Sequence, residues 1–99
     1  MTVYFSAQIR IKDPGIYDRY IEQAGQVFKQ YNGRYLSVDN SPLLLEGEWD
    51  YTRSVLIRFD SETDFKQWYH SKAYQDILKF RLKGAVCDSI LIKGLDETE

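Results

Sequence analysis

Between Val3 and Ile11 the apolar side chains fall on the odd positions (Val3, Phe5, Ala7, Ile9 and Ile11), while the even positions Tyr4, Ser6, Gln8 and Arg10 are mostly polar. A two-residue period of this kind predicts a strand with one buried face. Asp13-Pro14 follows, an acceptor for free helical amides and then a residue whose fixed φ suits the first helical position. Tyr17, Tyr20, Ile21, Ala24, Phe28 and Tyr31 then recur at steps of three and four, drawing one apolar stripe along a helix that Asn32-Gly33 closes as a left-handed cap.

Beyond the helix the period returns to two. Residues 34–38 read as extended, Asp39-Asn40-Ser41-Pro42 is dense in turn formers, and residues 43–49 read as extended again, so an interrupted or bulged second strand is expected. Residues 54–59 carry Val55, Ile57 and Phe59 on one face and Ser54, Leu56 and Arg58 on the other, a third strand. Ser61-Glu62-Thr63-Asp64 resembles a capping box, which opens a helix bearing Phe65, Trp68 and Tyr69. At Ser71 the pattern restarts: Ser71 caps a further helix with Tyr74, Ile77, Leu78, Arg81 and Leu82 at helical spacing, ending at Gly84. The last strand spans residues 86–95, with Val86, Ile90 and Ile92 on one face and Cys87, Ser89 and Leu91 on the other. The acidic end, residues 96–99, is expected to be disordered.

The order strand, helix, strand, strand, helix pair, strand predicts an α+β protein of the ferredoxin-like βαββαβ type, one domain over residues 1–99, with a four-stranded antiparallel sheet covered by helices on one face. The other face, read as carrying Tyr4, Leu36, Val38, Leu56 and Leu91 among Ser6, Gln8 and Arg58, is too apolar to be simply wet. A second copy covering it would remove that mismatch, at about 25 cal/mol per Å² of apolar surface buried. A homodimer is therefore expected.

Composition changes this picture little. Ninety-nine residues suffice for one core. The net charge of -2, with dispersed basic residues, gives no footprint for nucleic acid, and nothing calls for a membrane. A single cysteine, Cys87, and an N-terminus without a basic-then-apolar pattern suit a reducing cytoplasm. One His and one Cys far apart in sequence make no recognisable ligand set, so neither metal nor cofactor is expected.

The ordered wording of the chain also resembles a known family. Asp13-Pro14 with Tyr17 and Tyr20, Gly33-Arg34-Tyr35, Glu46-Gly47-Glu48-Trp49 with Arg53, Phe59 with Ser61, Trp68-Tyr69 with Ser71, Tyr74, Arg81 and Gly94 together resemble the domain of unknown function 1330 family of the dimeric α+β barrel superfamily. The resemblance runs from Tyr4 to Gly94 and implies a ferredoxin-like protomer whose sheets associate into a barrel, with no established activity. Related branches include cofactor-independent monooxygenases, haem-degrading enzymes and small isomerases that use a cavity between sheet and helices, an analogy at the level of fold. Three positions depart from the usual wording: Asn32 for a glycine, Arg58 for an acidic residue, and His70 for Asn or Asp.

Trp68, Tyr69 and Tyr74 either wall an aromatic cavity or pack helix on sheet. His70 either acts as an acid or base or sits exposed beside the helix break. The family wording retains Arg34, Glu46, Arg53 and Arg81, which either grip a carboxylate or enolate with Glu46 taking a proton, or form a structural ion pair such as Glu46 with Arg53 or Arg81. Cys87 lacks a neighbouring base and reads as a small sheet residue. The resulting expectation is a small cytoplasmic dimer that binds an aromatic or carboxylate-bearing molecule in a sheet/helix pocket, as a cofactor-free oxygenase or isomerase. Tyr20, Trp49, Trp68, Tyr69 and Tyr74 would shape that pocket, Arg34, Glu46, Arg53 and Arg81 would supply polar contacts, and Glu46, Tyr69 and His70 are the catalytic candidates. The competing reading is a non-catalytic binding or assembly module whose charges hold the dimer together.

Overall fold

In the computed structural model, which describes residues 1–95, the chain runs β1 (Val3–Ile11), α1 (Pro14–Lys29), β2 (Gly33–Asp39), β3 (Arg53–Phe59), α2 (Glu62–Tyr69), α3 (Lys72–Gly84) and β4 (Ala85–Lys93). The strands form one antiparallel sheet in the order β2-β3-β1-β4, the ferredoxin-like arrangement. The acidic end expected to be disordered lies outside the described residues.

The caps form where the sequence places them. Asp13 accepts from the Ile16 amide with Pro14 at the first helical position, Ser61 accepts from the Asp64 amide, and Ser71 accepts from the Tyr74 amide. The Ser71 hydroxyl also donates to the Trp68 carbonyl at 2.7 Å, so one side chain ends α2 and starts α3. The Asp64 carboxylate does not close a capping box; it accepts from the Asn32 side chain instead. α1 stops two residues short of the end of its apolar stripe, at Lys29, because the Gln30 and Tyr31 amides bond three residues back and tighten the chain. The left-handed residue is Asn32, at φ 61°, rather than the glycine after it. Gly33 is needed for room: a Cβ there would lie 2.6 Å from the Phe59 ring.

Odd positions of β1 and β3 turn toward the helices, as their alternation predicts, and Val3, Phe5, Ala7, Ile9, Val55, Ile57 and Phe59 join Tyr17, Tyr20, Phe28, Trp68, Tyr74 and Ile77 in one core. Two strands differ from expectation. In β4 the phase is reversed: Leu91 pairs with Phe5 on the helix side, while Ile90 and Ile92 pair with Ser6 and Tyr4 on the open side. The two faces of β4 are nearly equal in apolar content, so alternation alone could not choose; α3 runs straight into the strand, burying Ala85 at the join, and that sets the phase. In β2 a bulge between Tyr35 and Ser37 puts Val38 opposite Val55 on the helix side, not on the open face with Leu56. Residues 43–49 form no strand: the segment is an arm between β2 and β3, with Leu43 and Leu45 more than four-fifths exposed. Its return limb is tied to the sheet by Arg10 to Asp50, by Tyr51 donating to Asp88, and by the Thr52 amide to the Ile9 carbonyl.

Candidate functional site

α1 and α3 lie side by side, and a narrow cleft is left between them and the sheet. Its walls are Tyr17, Tyr20 and Ile21 from α1, Arg81 from α3, Tyr35 and Arg53 at the rim, and Phe5, Ala7, Ile9, Val55 and Ile57 as floor. The free space is about 10 Å³, the size that admits one water.

The polar groups here come from a few helical positions. Tyr17 and Tyr20 are about one turn apart on α1, so their rings neighbour each other along the cleft, centroids 5.9 Å apart and planes tilted by 40°. Tyr74 and Arg81 sit two turns apart on α3, and the Arg81 Nη1 donates to the Tyr74 hydroxyl at 3.1 Å. The Tyr74 hydroxyl shares a hydrogen bond of 2.9 Å with that of Tyr20. Two guanidiniums flank the rings: Arg53 lies 5.8 Å from the Tyr17 centroid and Arg81 lies 5.8 Å from that of Tyr20. Arg53 also donates to the Asn40 side chain at 3.0 Å.

Arg81 is only 4 % exposed, and among the described residues it meets no carboxylate; its Nε, like that of Arg53, is buried without a partner. Burial pushes the Tyr17 hydroxyl up to about 12, with Arg53 pulling the other way. Burial likewise holds Tyr74 at about 12, against the pull of Arg81, and lifts Tyr20 well above the ordinary phenol. All three therefore stay protonated near neutral pH and serve as hydrogen-bonding groups, not bases. Cys87 is shifted up by burial, with Arg81 opposing, so it is a thiol and no ready nucleophile.

Of the residues singled out in the sequence, Tyr20, Arg53 and Arg81 line the cleft and Tyr74 backs it. Trp68 does not: it is fully buried against Phe5, Phe59 and Tyr74, its Nε1 without a partner, and Tyr69 packs half-buried beside it. Arg34 is exposed on the open face opposite Arg58, and His70 is exposed at the end of α2. Glu46 and Trp49 lie on the arm, lining an open depression of about 530 Å³ with Pro42 and the three leucines. Sequence reasoning missed Tyr17 and Tyr35. The spacing of Tyr17 to Tyr20 on one stripe was the available signal for the first; for Tyr35 it was the alternation of β2, which puts it on the helix side with Gly33, opposite Ile57 and ahead of the bulge.

Comparison with known proteins places this geometry in context. A protein of unknown function from Rhodopseudomonas palustris, RPA0582, superposes with a TM-score of 0.77 at 20 % identity, covering 96 % of this chain and 83 % of that one. SnoaB, a cofactor-independent oxygenase from Streptomyces nogalater, gives 0.69 at 11 % identity over 96 % and 94 %. A dimeric ferredoxin-like protein of unknown function from Thermobifida fusca gives 0.69 at 15 % identity over 95 % and 92 %. At such identities the likeness is one of fold. No curated protein matches. The family model for the domain of unknown function DUF1330 matches residues 2–95, so the chain belongs to that family.

Proposed function

We propose that this protein is a cytoplasmic homodimer that binds a small organic anion in the cleft between α1, α3 and the sheet. The observation that carries the reading is Arg81, a buried guanidinium without a carboxylate partner among the described residues. A lone buried cation is costly, and a bound anion would offset that cost. The surrounding rings and aliphatic floor suit a flat apolar body attached to the charge. The cleft is narrow, so a ligand enters as the rim side chains Tyr35 and Arg53 swing outward.

Glu46, Tyr69 and His70 do not line the cleft, and among the described residues neither a carboxylate nor an imidazole does. Binding is thus the better-supported activity. Cofactor-free oxidation or isomerisation there would draw its reactivity from the ionised ligand itself, and the likeness to SnoaB adds only a shared fold. Glu46 is exposed on the arm and makes no ion pair within the protomer among the described residues, so of the competing assembly reading only a pairing between protomers is left. The dimer rests on the open sheet face and the leucine arm, and on dimeric relatives of the same fold.

Melting curves with benzoate and with its neutral isostere benzamide test the ligand. Benzoate should raise the melting temperature of the wild type and benzamide should not, and Arg81→Leu should abolish the difference. Equal shifts from the two compounds, or none from either, would sink the reading.

A further inference from the structure

The open face of the sheet is uneven in charge from one end to the other. Residues opposed across a ladder share a face, so the register fixes what each end carries. At the end where β1 begins, Arg34 of β2 lies opposite Arg58 of β3, and Tyr4 of β1 lies between Arg58 and Ile92 of β4. Arg58 is held by Asp60 at 3.5 Å and donates to the Thr2 hydroxyl, whereas Arg34 is exposed and makes no ion pair among the described residues. At the other end the exposed carboxylates of Asp39, opposite Ser54, and Asp88, opposite Gln8, stand on the two edge strands. The return limb of the arm crosses this acidic end on the same face: Asp50 reaches Arg10 at 3.5 Å, Tyr51 donates to Asp88, and the Trp49 ring packs on Tyr51.

We infer that a second copy of this chain covers the face end for end, so that Arg34 of each protomer pairs with the partner's Asp39 and the leucine arm of each lies on the partner's Tyr4 and Ile92. A face meets its own copy about a two-fold axis in the plane between the sheets, running either along the strands or across them. An axis along the strands sets β2 over the partner's β4 and keeps like ends together. Asp39 then faces the partner's Asp88, twice in the dimer, while Arg34 faces the partner's Ile92, so like charges are opposed and a lone cation meets an apolar side chain. An axis across the strands exchanges the ends and sets each strand over its own copy. Arg34 then faces the partner's Asp39, and the limb beside Asp88 overlies the far end of the partner's β4, the apolar corner of Tyr4 and Ile92. Ile90, halfway along β4 and 61 % exposed, meets its own copy. Charge and apolar surface are complementary in this placement alone. The orientation rests on the homodimer proposed above and adds to it the ion pair that selects it.

The test is a charge exchange read by sedimentation equilibrium of the full chain. Arg34→Asp and Asp39→Arg should each raise the dimer Kd about tenfold or more, because each sets like charges together twice in the dimer. The double variant exchanges the two charges and should return Kd to within about threefold of the wild type. Asp39 also accepts from the Ser41 amide, so a second measurement stands apart from that turn. In a Cys87→Ser background, Ile90→Cys should let a short bismaleimide join two protomers, since only the end-for-end placement brings position 90 onto its own copy. A wild-type dimer whose Kd neither single variant moves, a double variant no tighter than the singles, or no cross-link at position 90 overturns the orientation and leaves the homodimer standing. Wild-type protein that stays monomeric at every concentration overturns both and gives the face to a different partner.

Discussion

Gly84 shows how little room single residues have in this fold. A Cβ there would sit 2.8 Å from the Tyr17 nitrogen and 3.2 Å from the Asp13 carbonyl oxygen, both backbone atoms that cannot rotate away. The Gly84 carbonyl also accepts from the Lys12 and Asp13 amides, binding the end of α3 to the start of α1. Gly84→Ala should therefore destabilise the protein by about 1–3 kcal/mol, read from urea unfolding. It should also disturb Tyr17 at the cleft, which the same joint positions. The buried tyrosines make a second prediction at this scale. Each is a neutral acid whose folded pKa is raised above its unfolded value near 10, so the unfolded chain loses protons first. Their stabilisation is complete below pH 10 and is lost as pH rises toward 12, so unfolding free energy should fall across that window. Tyr74→Phe should make the fall shallower; an unchanged slope would show that Tyr74 is not the group titrating.

Among the elements, the break between α2 and α3 is built around Ser71. Its hydroxyl caps α3 at the Tyr74 amide and donates to the last turn of α2, and Tyr74 is in turn the midpoint of the Arg81 to Tyr20 chain. Ser71→Ala should cost about 0.5–2 kcal/mol, as for other serine caps. It should also loosen Tyr74, visible as faster exchange of the Tyr74 amide, whereas exchange unchanged from wild type would mean that the cap does not hold this turn. The arm of residues 40–52 is the opposite kind of element: its base is hydrogen-bonded to β1 and β4, but its leucines touch little of their own protomer. Three consecutive exposed leucines at 43–45 are costly on an isolated surface and suit burial by another chain.

For the whole molecule, the principal extents are 42, 37 and 15 Å, the shape of one helix layer on one sheet. The far side of the sheet carries Tyr4, Leu56, Ile90 and Ile92, with Ile90 61 % exposed. A second copy placed there would bury Ile90 twice by symmetry. Ile90→Lys should leave the protomer fold intact, by circular dichroism, and convert a dimer in light scattering to a monomer. It should also remove the concentration dependence of the melting temperature. Wild-type protein that is already monomeric would sink the homodimer.

How much of this was readable in advance varies with the physics involved. The alternation of β1 and β3, the stripe of α1 and the caps Asp13, Ser61 and Ser71 depend on near neighbours, so the chain by itself determined the order of elements and hence the ferredoxin-like sheet. Ser71 likewise divided the aromatic stretch into two helices before any coordinates. Tertiary structure decided what near neighbours cannot. The phase of β4 follows from its direct join to α3, the side taken by Val38 from a bulge, and the exposure of residues 43–49 from the absence of a strand to pair with. The same holds for the site. Trp68 and Tyr20 are both aromatic residues on helical stripes, yet one is sealed in the core and the other lines the cleft beside Arg81. That difference arises because Trp68, on α2, packs over Phe5 and Phe59, whereas Tyr20, on α1, faces the cleft floored by Ile9 and Val55 beside Arg81 of α3, a relation between elements distant in sequence.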